Sequence, residues 1–344
     1  MESQIESGPN DGMAAGPFSG LVSALTTTAP AVKTGTLLLP ETQAYKTAYR
    51  AYKQLVERTD MELLRASRET ITDNHSISMI SAQIQQEVRN HRGQFVSFIL
   101  GNDIKGYEMA KSSVNTAILS ALIARELKLP NHKTLNIIIG ALLHDAGMLR
   151  IPRDIVNKRG ELSDAERQRI HSHPVLAYRI VTKELHYQDE VGKVVLQHHE
   201  RWDGKGYPYG HAGEQIDKGA RIVSIADAFE AMVSQKSYRN PMLGYQAIKN
   251  LLADNSRRFD PGLLKVFVGI MGIYPIGSIV CLNNGVVARV AEIWPNAPIR
   301  PKTQVLIDKD EKAPAEEVYI DLLLEKNLFI TKAITAKEFA ELNA

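Results

Sequence analysis

Apolar side chains recur at helical spacing through most of the chain. Two stretches before residue 100 each place four apolar or aromatic side chains on one helical face: Tyr45, Tyr49, Tyr52 and Val56, then Ile77, Ile80, Ile84 and Val88. The pattern predicts a mainly helical region over residues 35–99, with a short strand at residues 36–39. Residues 1–34 are rich in Gly, Ser, Thr, Ala and Pro and lack this periodicity, so they are predicted to form a flexible segment.

Helical patterns continue as far as residue 271. The stretch Leu135–Leu143 is apolar on nearly every face, which is typical of a helix buried on all sides. Ser163 and Glu166 have the spacing of a capping box, and Asp260 followed by Pro261 is typical of a helix start. The predicted helices of this part cover residues 103–129, 135–143, 163–171, 174–185, 189–199, 220–233, 243–252 and 261–271.

The apolar period changes to two after Pro275. Ile279–Leu282 and residues 286–293 flank Asn283-Asn284-Gly285, a sequence that favours a β-hairpin. Residues 304–307 and 318–322 are candidates for further strands. The fold class is therefore predicted to be mainly α, with a small β-rich C-terminal extension over residues 274–344.

Composition narrows the range of partners. Lys and Arg total 41 against 39 acidic residues, and this net charge of +2 gives no broad electrostatic footprint for a nucleic-acid polymer or a membrane. Cys281 is the only cysteine, which excludes an internal disulfide framework and suits a reducing compartment. The N-terminus lacks a secretory pattern, and the apolar runs are too short to span a bilayer. We expect a cytoplasmic protein.

Polar residues interrupt the predicted helices at unusual places. They are imidazoles and carboxylates only: His144, Asp145, His173, His198, His199 and Asp227. Burying an aspartate is costly unless it is paired or binds a metal. An adjacent pair such as His198 and His199, standing alone, would be read as one core and one solvated histidine. Together, the mixed nitrogen and oxygen donors favour a site for Fe, Mn, Zn or Ni.

The order and spacing of these residues resemble the HD-GYP family. The matching segments are H-D-A-G-M at 144–148, H-P at 173–174, H-H-E-R-W-D-G-K-G-Y-P at 198–208, and A-R-I-V-S-I-A-D-A-F-E-A-M at 220–232. The resemblance covers about residues 100–273 and continues into Y-P-I-G-S-I-V at 274–280. It implies an HD-type helical bundle that hydrolyses cyclic di-GMP to pGpG and/or GMP, through attack of a metal-bridged hydroxide on the phosphodiester.

The resemblance also assigns roles to individual residues. It implies two divalent transition-metal ions, with Asp145 as the catalytic bridging residue and with the ligands His144, Asp145, His173, His198, His199 and Asp227. It implies that Lys236 and Arg239 bind substrate phosphates, although ordinary surface charge explains them equally well. The loop Gly206, Tyr207 and Pro208 would form a lip over the substrate or a docking surface for a GGDEF-domain protein. A homodimer is also expected.

Two positions depart from the family pattern. Ser112 stands where the resemblance places a histidine ligand, and Met148 stands where it places a lysine. Glu108 lies four residues before Ser112, where it either reaches the metals or is an exposed helix acid. We expect a working but slow phosphodiesterase. The alternatives are a receptor for cyclic di-GMP or docking module without turnover, and a hydrolase of another nucleotide such as a mixed cyclic dinucleotide.

Overall fold

The computed structural model describes residues 42–68, 74–101, 104–158, 160–234, 242–254, 257–310 and 312–342. The predicted flexible segment 1–34 and the predicted strand at 36–39 lie outside these ranges. The helices before the sheet are α1 (Gln43–Ser67), α2 (His75–Asn90), α3 (Arg92–Gly101), α4 (Glu108–Glu126), α5 (Asn131–Leu143), α6 (Arg153–Val156), α7 (Asp164–His171), α8 (His173–Arg179), α9 (Asp189–Gln197), α10 (Lys218–Val233), α11 (Gly244–Ala253) and α12 (Pro261–Met271). Short 3-10 turns occupy Ala146–Arg150 and Gly213–Gln215, and a π-helical turn occupies Ile180–Glu184.

The N-terminal helices form as their apolar faces predict. Tyr52 and Val56 of α1 are buried, as are Ile80 and Ile84 of α2. Helix α3 lies almost wholly within the region predicted to be mainly helical, but it was not delimited as a separate helix, because its five consecutive buried residues 95–99 show no one-sided period. A helix enclosed on several sides loses the amphipathic signal on which sequence patterns depend.

The central helices carry the site. Helix α4 buries its side chains continuously from Ala110 to Ala124, and α5 is buried from Ile137 to its end. The Ser163–Glu166 capping box is present at α7, and Asp260 caps α12 by accepting from the backbone N–H groups of Gly262 and Leu263. These helix starts confirm the sequence reading.

Two predicted helices end earlier than expected. The helix predicted over 174–185 is regular only to Arg179 and continues as the π-helical turn. The helix predicted over 189–199 ends at Gln197, so His198 and His199 follow it. This second difference matters because two adjacent residues that leave a regular helix can turn toward the same centre.

Five strands form one antiparallel sheet after α12. They are β1 (Ile279–Leu282), β2 (Val287–Glu292), β3 (Lys302–Ile307), β4 (Tyr319–Asp321) and β5 (Ile330–Ile334), in the order β4-β3-β2-β1-β5. The predicted β1–β2 hairpin is confirmed, with Val280 opposite Ala288 and with Gly285 at φ 88° in the turn. Strand β5 and helix α13 (Ala336–Leu342) were not predicted. Strand β5 is an edge strand of five residues, and Ile334 alone among them is fully buried, which leaves little alternating apolar signal.

One large hydrophobic cluster joins these parts, from Tyr45 of α1 through the central helices to Leu322 after β4. The predicted fold class is confirmed: a mainly helical chain with a small C-terminal sheet. The division at residues 34, 99 and 273 stays a prediction.

Candidate metal centre

Four separate parts of the bundle contribute the imidazoles and carboxylates. His144 and Asp145 follow the last residue of α5, and His173 is the first residue of α8. His198 and His199 follow α9, and Asp227 lies within α10. His144, His173 and His198 are almost completely buried, at 0%, 3% and 1% exposure, whereas the Asp145 side chain remains 32% exposed. These three histidines are therefore enclosed, whereas the Asp145 carboxylate remains accessible to solvent.

Three of the histidines are oriented in the same way. The Nδ1 atom of His144 is 2.7 Å from the carbonyl oxygen of Ala141, and that of His198 is 2.7 Å from the corresponding oxygen of Val195. His173 makes the equivalent 2.8 Å contact with Ile170. A carbonyl oxygen can only accept, so Nδ1 carries the proton and a neutral ring presents a lone pair at Nε2. Such contacts to the backbone are typical of metal-binding histidines.

The free ring nitrogens converge. The Nε2 atoms of His173 and His198 are 3.3 Å apart, although each Nδ1 already carries the ring proton. Two lone pairs at this distance repel unless a cation lies beside them. The Nε2 atom of His144 is fully buried and faces the carboxylates of Asp145 and Asp227. The geometry therefore fits a bound cation better than a hydrogen-bonded cluster.

Asp145 lies between the two sides of the cluster. One carboxylate oxygen is 3.3 Å from Nε2 of His173, and the other is 3.3 Å from Nε2 of His144. Asp227 is 3.6 Å from the same His144 nitrogen. Donor atoms of Asp145, His173, His198 and His199 all lie within 4.8 Å of one another and could hold a metal ion. The arrangement suits a carboxylate that faces one cation on each side.

Burial favours the neutral, metal-binding form of three of the histidines. It is the main influence on His173, His198 and His199, and it disfavours their charged forms. It lowers the pKa of His199 to about 3, lowers the pKa of His173, and holds the pKa of His198 well below its usual value. These three rings are neutral near pH 7, the state that coordinates metals.

His144 behaves differently. Burial opposes its charge, but the carboxylates of Asp145 and Asp227 outweigh that effect and raise the pKa of His144 well above its ordinary value. Burial likewise raises the pKa of each carboxyl, and the nearby histidines, led by His144, bring both values below normal. The His144 side of the site thus strongly attracts a cation, and a metal would compete with a proton for the same Nε2 atom.

The loop that follows His199 folds back over the cluster. Tyr207 donates its backbone N–H to the carbonyl of His199, and the Tyr207 ring lies between His199 and His171, with centroids 4.7 Å and 4.1 Å away. Gly206 passes so close to this backbone that an added Cβ would lie 2.4 Å from the nitrogen of Arg201. Only glycine allows this approach, so the G-Y-P sequence builds one wall of the site.

Glu200 fixes the far side of this loop. One of its oxygens accepts the Tyr209 backbone N–H at 2.7 Å, while the whole residue is only 2% exposed. The backbone of Arg258 accepts from Trp202 at 2.9 Å, so the segment before α12 supports the loop from below. The positive charge of Arg258 also helps to lower the pKa of His199, after burial and the nearby histidines. Sequence reasoning missed Arg258, which lacks a motif of its own.

The remaining predicted site residues do not belong to the group of four donors. Glu108 is exposed at the first residue of α4 and is not part of the four-donor group. Ser112 donates to Glu230 at 2.6 Å, and Met148 is half-buried in the turn after Asp145. Lys236 and Arg239 lie outside the described residues. The roles of these residues stay predictions.

Comparison with known proteins gives the family. A model described as an HD domain matches residues 79–263, a range that contains all six clustered residues and the G-Y-P loop. The chain belongs to the HD-GYP family. A second model, described as a KOW domain associated with HD domain, matches residues 279–342, where this HD-GYP protein carries its sheet.

Two relatives carry names that state an activity. The chain is 31% identical over 254 residues to cyclic di-GMP phosphodiesterase PA4108 of Pseudomonas aeruginosa, covering 74% of this chain and 61% of that protein. It is 31% identical over 212 residues to cyclic di-GMP phosphodiesterase PdeB of Borreliella burgdorferi, covering 60% and 56%. The chain thus spans less than two thirds of the length of either relative.

A solved structure supports the fold. Bd1817, an HDG"Y"P protein from Bdellovibrio bacteriovorus, aligns with a TM-score of 0.53 at 18% identity, covering 66% of this chain and 72% of that one. At this identity the likeness concerns the fold alone. Among the described residues of this HD-GYP chain, no helix combines the length and the apolar character needed to cross a membrane.

Proposed function

We propose that the chain is a metal-dependent phosphodiesterase that hydrolyses cyclic di-GMP to linear pGpG and, by a second cut, to GMP. The observation that carries this proposal is the approach of the His173 and His198 Nε2 atoms to 3.3 Å beside the Asp145 carboxylate, a donor arrangement that suits cations. Family membership and the names of the curated relatives support the substrate class.

The six clustered side chains would divide between two cation positions. His173, His198 and His199 would supply neutral nitrogen donors on one side, and His144 with Asp227 would supply donors on the other. Asp145 would contribute one oxygen to each side, as its two 3.3 Å contacts suggest. Bound divalent ions, of Fe, Mn, Ni or Zn, would supply a Lewis acid for the phosphodiester and an activated water.

The bond changes are those of hydrolysis. The oxygen of water forms a new bond to phosphorus while the bond from phosphorus to one ribose oxygen breaks. One proton of the water is taken up by that leaving oxygen, and linear pGpG results. The Asp145 carboxylate is 32% exposed, so a substrate phosphate could approach it from solvent.

Tyr207 and Arg258 would orient the phosphate. Burial, reinforced by the charges of Asp145 and Asp227, raises the pKa of the Tyr207 phenol, so it stays protonated and can donate a hydrogen bond. Arg258 is exposed beside the loop and offers a permanent positive charge. Lys236 and Arg239 remain candidates for the same task.

The test is a product assay on the purified full chain. With Mn or Fe, cyclic di-GMP should be converted to pGpG, as followed by anion-exchange chromatography, while a mixed guanine–adenine cyclic dinucleotide reports selectivity. Asp145→Ala should abolish turnover with the helical fold retained. The exposed carboxylate Asp189 at the start of α9 provides a control, and Asp189→Ala should retain activity. Undiminished hydrolysis by Asp145→Ala would show that the reaction occurs elsewhere.

A second candidate function is a cyclic di-GMP receptor without turnover. It is favoured by Ser112, which supplies no imidazole and whose hydroxyl is engaged by Glu230 at 2.6 Å. Calorimetry would separate the two functions, because a receptor binds the nucleotide in the presence of metal and releases it unchanged. Docking of a GGDEF-domain protein and homodimer formation remain predictions.

A further inference from the structure

A second buried polar cluster lies beside the metal centre, and the proposed chemistry does not use it. Its middle is Glu230 of α10, which is 0% exposed. One carboxyl oxygen accepts from the Ser112 hydroxyl at 2.6 Å. The other accepts from the Asn115 amide at 3.3 Å and from the Ser234 hydroxyl in a short contact. Glu230 thereby ties α10 to α4.

Burial of a carboxyl group is expensive unless hydrogen bonds compensate it. The donors Ser112 and Asn115 lie on a different helix, so these two hydrogen bonds to Glu230 form only in one relative placement of α4 and α10. Ser112 and Asn115 are three residues apart and therefore share one face of α4. The contact thus fixes both the separation of the two helices and the rotation of α10 about its axis.

The rotation of α10 decides where Asp227 lies. Asp227 precedes Glu230 by three residues, which places both carboxyl groups on neighbouring parts of one helix face. Side-chain ends lie about 5–6 Å from a helix axis, so a rotation of roughly 10° moves such an end by about 1 Å. A shift of that size is large compared with the 3.6 Å contact between Asp227 and His144.

The cluster also reaches the N-terminal helix. The Tyr52 hydroxyl of α1 donates to the oxygen of Asn115 at 2.7 Å, with both residues 1% exposed. Because the Asn115 oxygen binds Tyr52 and its nitrogen binds Glu230, the amide has one favourable orientation. A continuous buried chain of hydrogen bonds therefore runs from α1 through α4 to α10.

We propose that Glu230 is a positioning residue of the metal centre, which holds Asp227 in place through Ser112 and Asn115 and is itself held in register by Tyr52 of α1. This inference rests on the proposed metal centre, and it adds a task for the N-terminal helical region. Displacement of α1 would loosen the Asp227 side of the site while leaving His173, His198 and His199 in place.

The protein offers matched control substitutions for both Tyr52 and Ser112. The hydroxyls of Thr59 on α1 and Ser120 on α4 are buried and lack hydrogen-bond partners among the described residues. Tyr52→Phe is therefore paired with Thr59→Val, and Ser112→Ala with Ser120→Ala. Both substitutions of a pair remove a buried hydroxyl from the same helix. Only Tyr52 and Ser112 take part in the series of hydrogen bonds that leads to Glu230.

The experiment titrates Mn²⁺ or Co²⁺ into the metal-free full chain, with calorimetry for affinity and the visible spectrum of bound Co²⁺ for ligand geometry. Glu230→Gln should lower the affinity for the ion on the Asp227 side by about 10-fold or more, the order found for residues that orient metal ligands. It should also change the Co²⁺ spectrum. Tyr52→Phe and Ser112→Ala should act in the same direction by a few-fold. The two control variants should match the wild type in affinity and spectrum.

Unchanged affinity and spectrum in Glu230→Gln and Tyr52→Phe would overturn the proposal. Equal losses in Ser112→Ala and Ser120→Ala would also overturn it, because they would reflect general packing of α4. If Glu230→Gln does not fold, the comparison of Tyr52→Phe with its control Thr59→Val tests the proposal. A wild type that binds two ions but leaves cyclic di-GMP intact refutes the proposed activity only, whereas a wild type that binds no ion refutes both.

Discussion

Gly147→Ala should damage the metal centre although it replaces no candidate ligand. A Cβ at residue 147 would lie 1.9 Å from the carbonyl oxygen of His173 and 2.7 Å from the nitrogen of Ala177. Real Cβ contacts are essentially never shorter than 3.0 Å, so the first turn of α8 would have to retreat by about 1 Å. Both contacts are with backbone, so no flexible side chain can absorb the strain.

That displacement acts directly on His173. A misplacement of about 1 Å at a reacting centre costs on the order of 100-fold in rate, and disturbed support of a ligand costs about 10- to 100-fold in metal affinity. Overpacking itself costs about 1–3 kcal/mol of folding free energy, which a chain of this size should survive. We expect a folded variant with at least a 10-fold loss of metal affinity and a larger loss of turnover.

The assay is metal titration by calorimetry together with cyclic di-GMP turnover, and circular dichroism confirms the fold. Gly93→Ala in α3 is the control, because its Cβ would meet only the end of the Ile276 side chain at 3.9 Å. That variant should bind metal and turn over substrate like the wild type. Wild-type metal affinity in folded Gly147→Ala would show that the position of His173 does not determine binding.

Three further predictions test other parts of the molecule. Gly206→Ala should displace the loop that carries Tyr207 and lower kcat/KM by about 10- to 100-fold. Its Cβ would also lie 2.5 Å from the carbonyl oxygen of His199, so metal affinity should fall too, and wild-type kcat/KM would contradict the role of the loop. Removal of metal by a chelator should lower the melting temperature, because an ion that binds only the folded protein, at about 100 times its Kd, adds about 2.7 kcal/mol to the free energy of unfolding. An unchanged melting curve would contradict metal binding by the folded protein. Lys158, with Ser163, lowers the pKa of Glu166 to about 2, so this carboxylate stabilises α7 above its ordinary pKa of 4.5 and stops doing so as the pH falls toward 2. The difference in melting temperature between wild type and Glu166→Gln should therefore be largest above pH 4.5 and vanish near pH 2; a constant difference would contradict this assignment.

Local features of the fold could be predicted from sequence because their causes are local. The Ser163 capping box, the Asp260 cap and the Asn284-Gly285 hairpin each depend on residues a few positions apart, and the structure confirms all three. Strand β5 was not predicted, and helix α3 was not delimited within the predicted helical region 35–99, because an edge strand and an enclosed helix lack the one-sided apolar period.

The site was predictable in residue type but not in geometry. The sequence pattern singled out His173 and His198, yet their 3.3 Å approach depends on how α8 packs against the end of α9. Glu230 gives no sequence signal, since an acid in a helix is more often a solvated surface residue. Its burial follows from the donors Ser112 and Asn115 on α4, which only long-range packing brings together.

The most direct test of the metal centre is crystallography with anomalous diffraction from Mn²⁺-loaded protein. We expect two anomalous peaks, each about 2 Å from an oxygen of Asp145, one beside His173 and His198 and the other beside His144 and Asp227. A map without a peak at Asp145, or with peaks only elsewhere on the molecule, would contradict it.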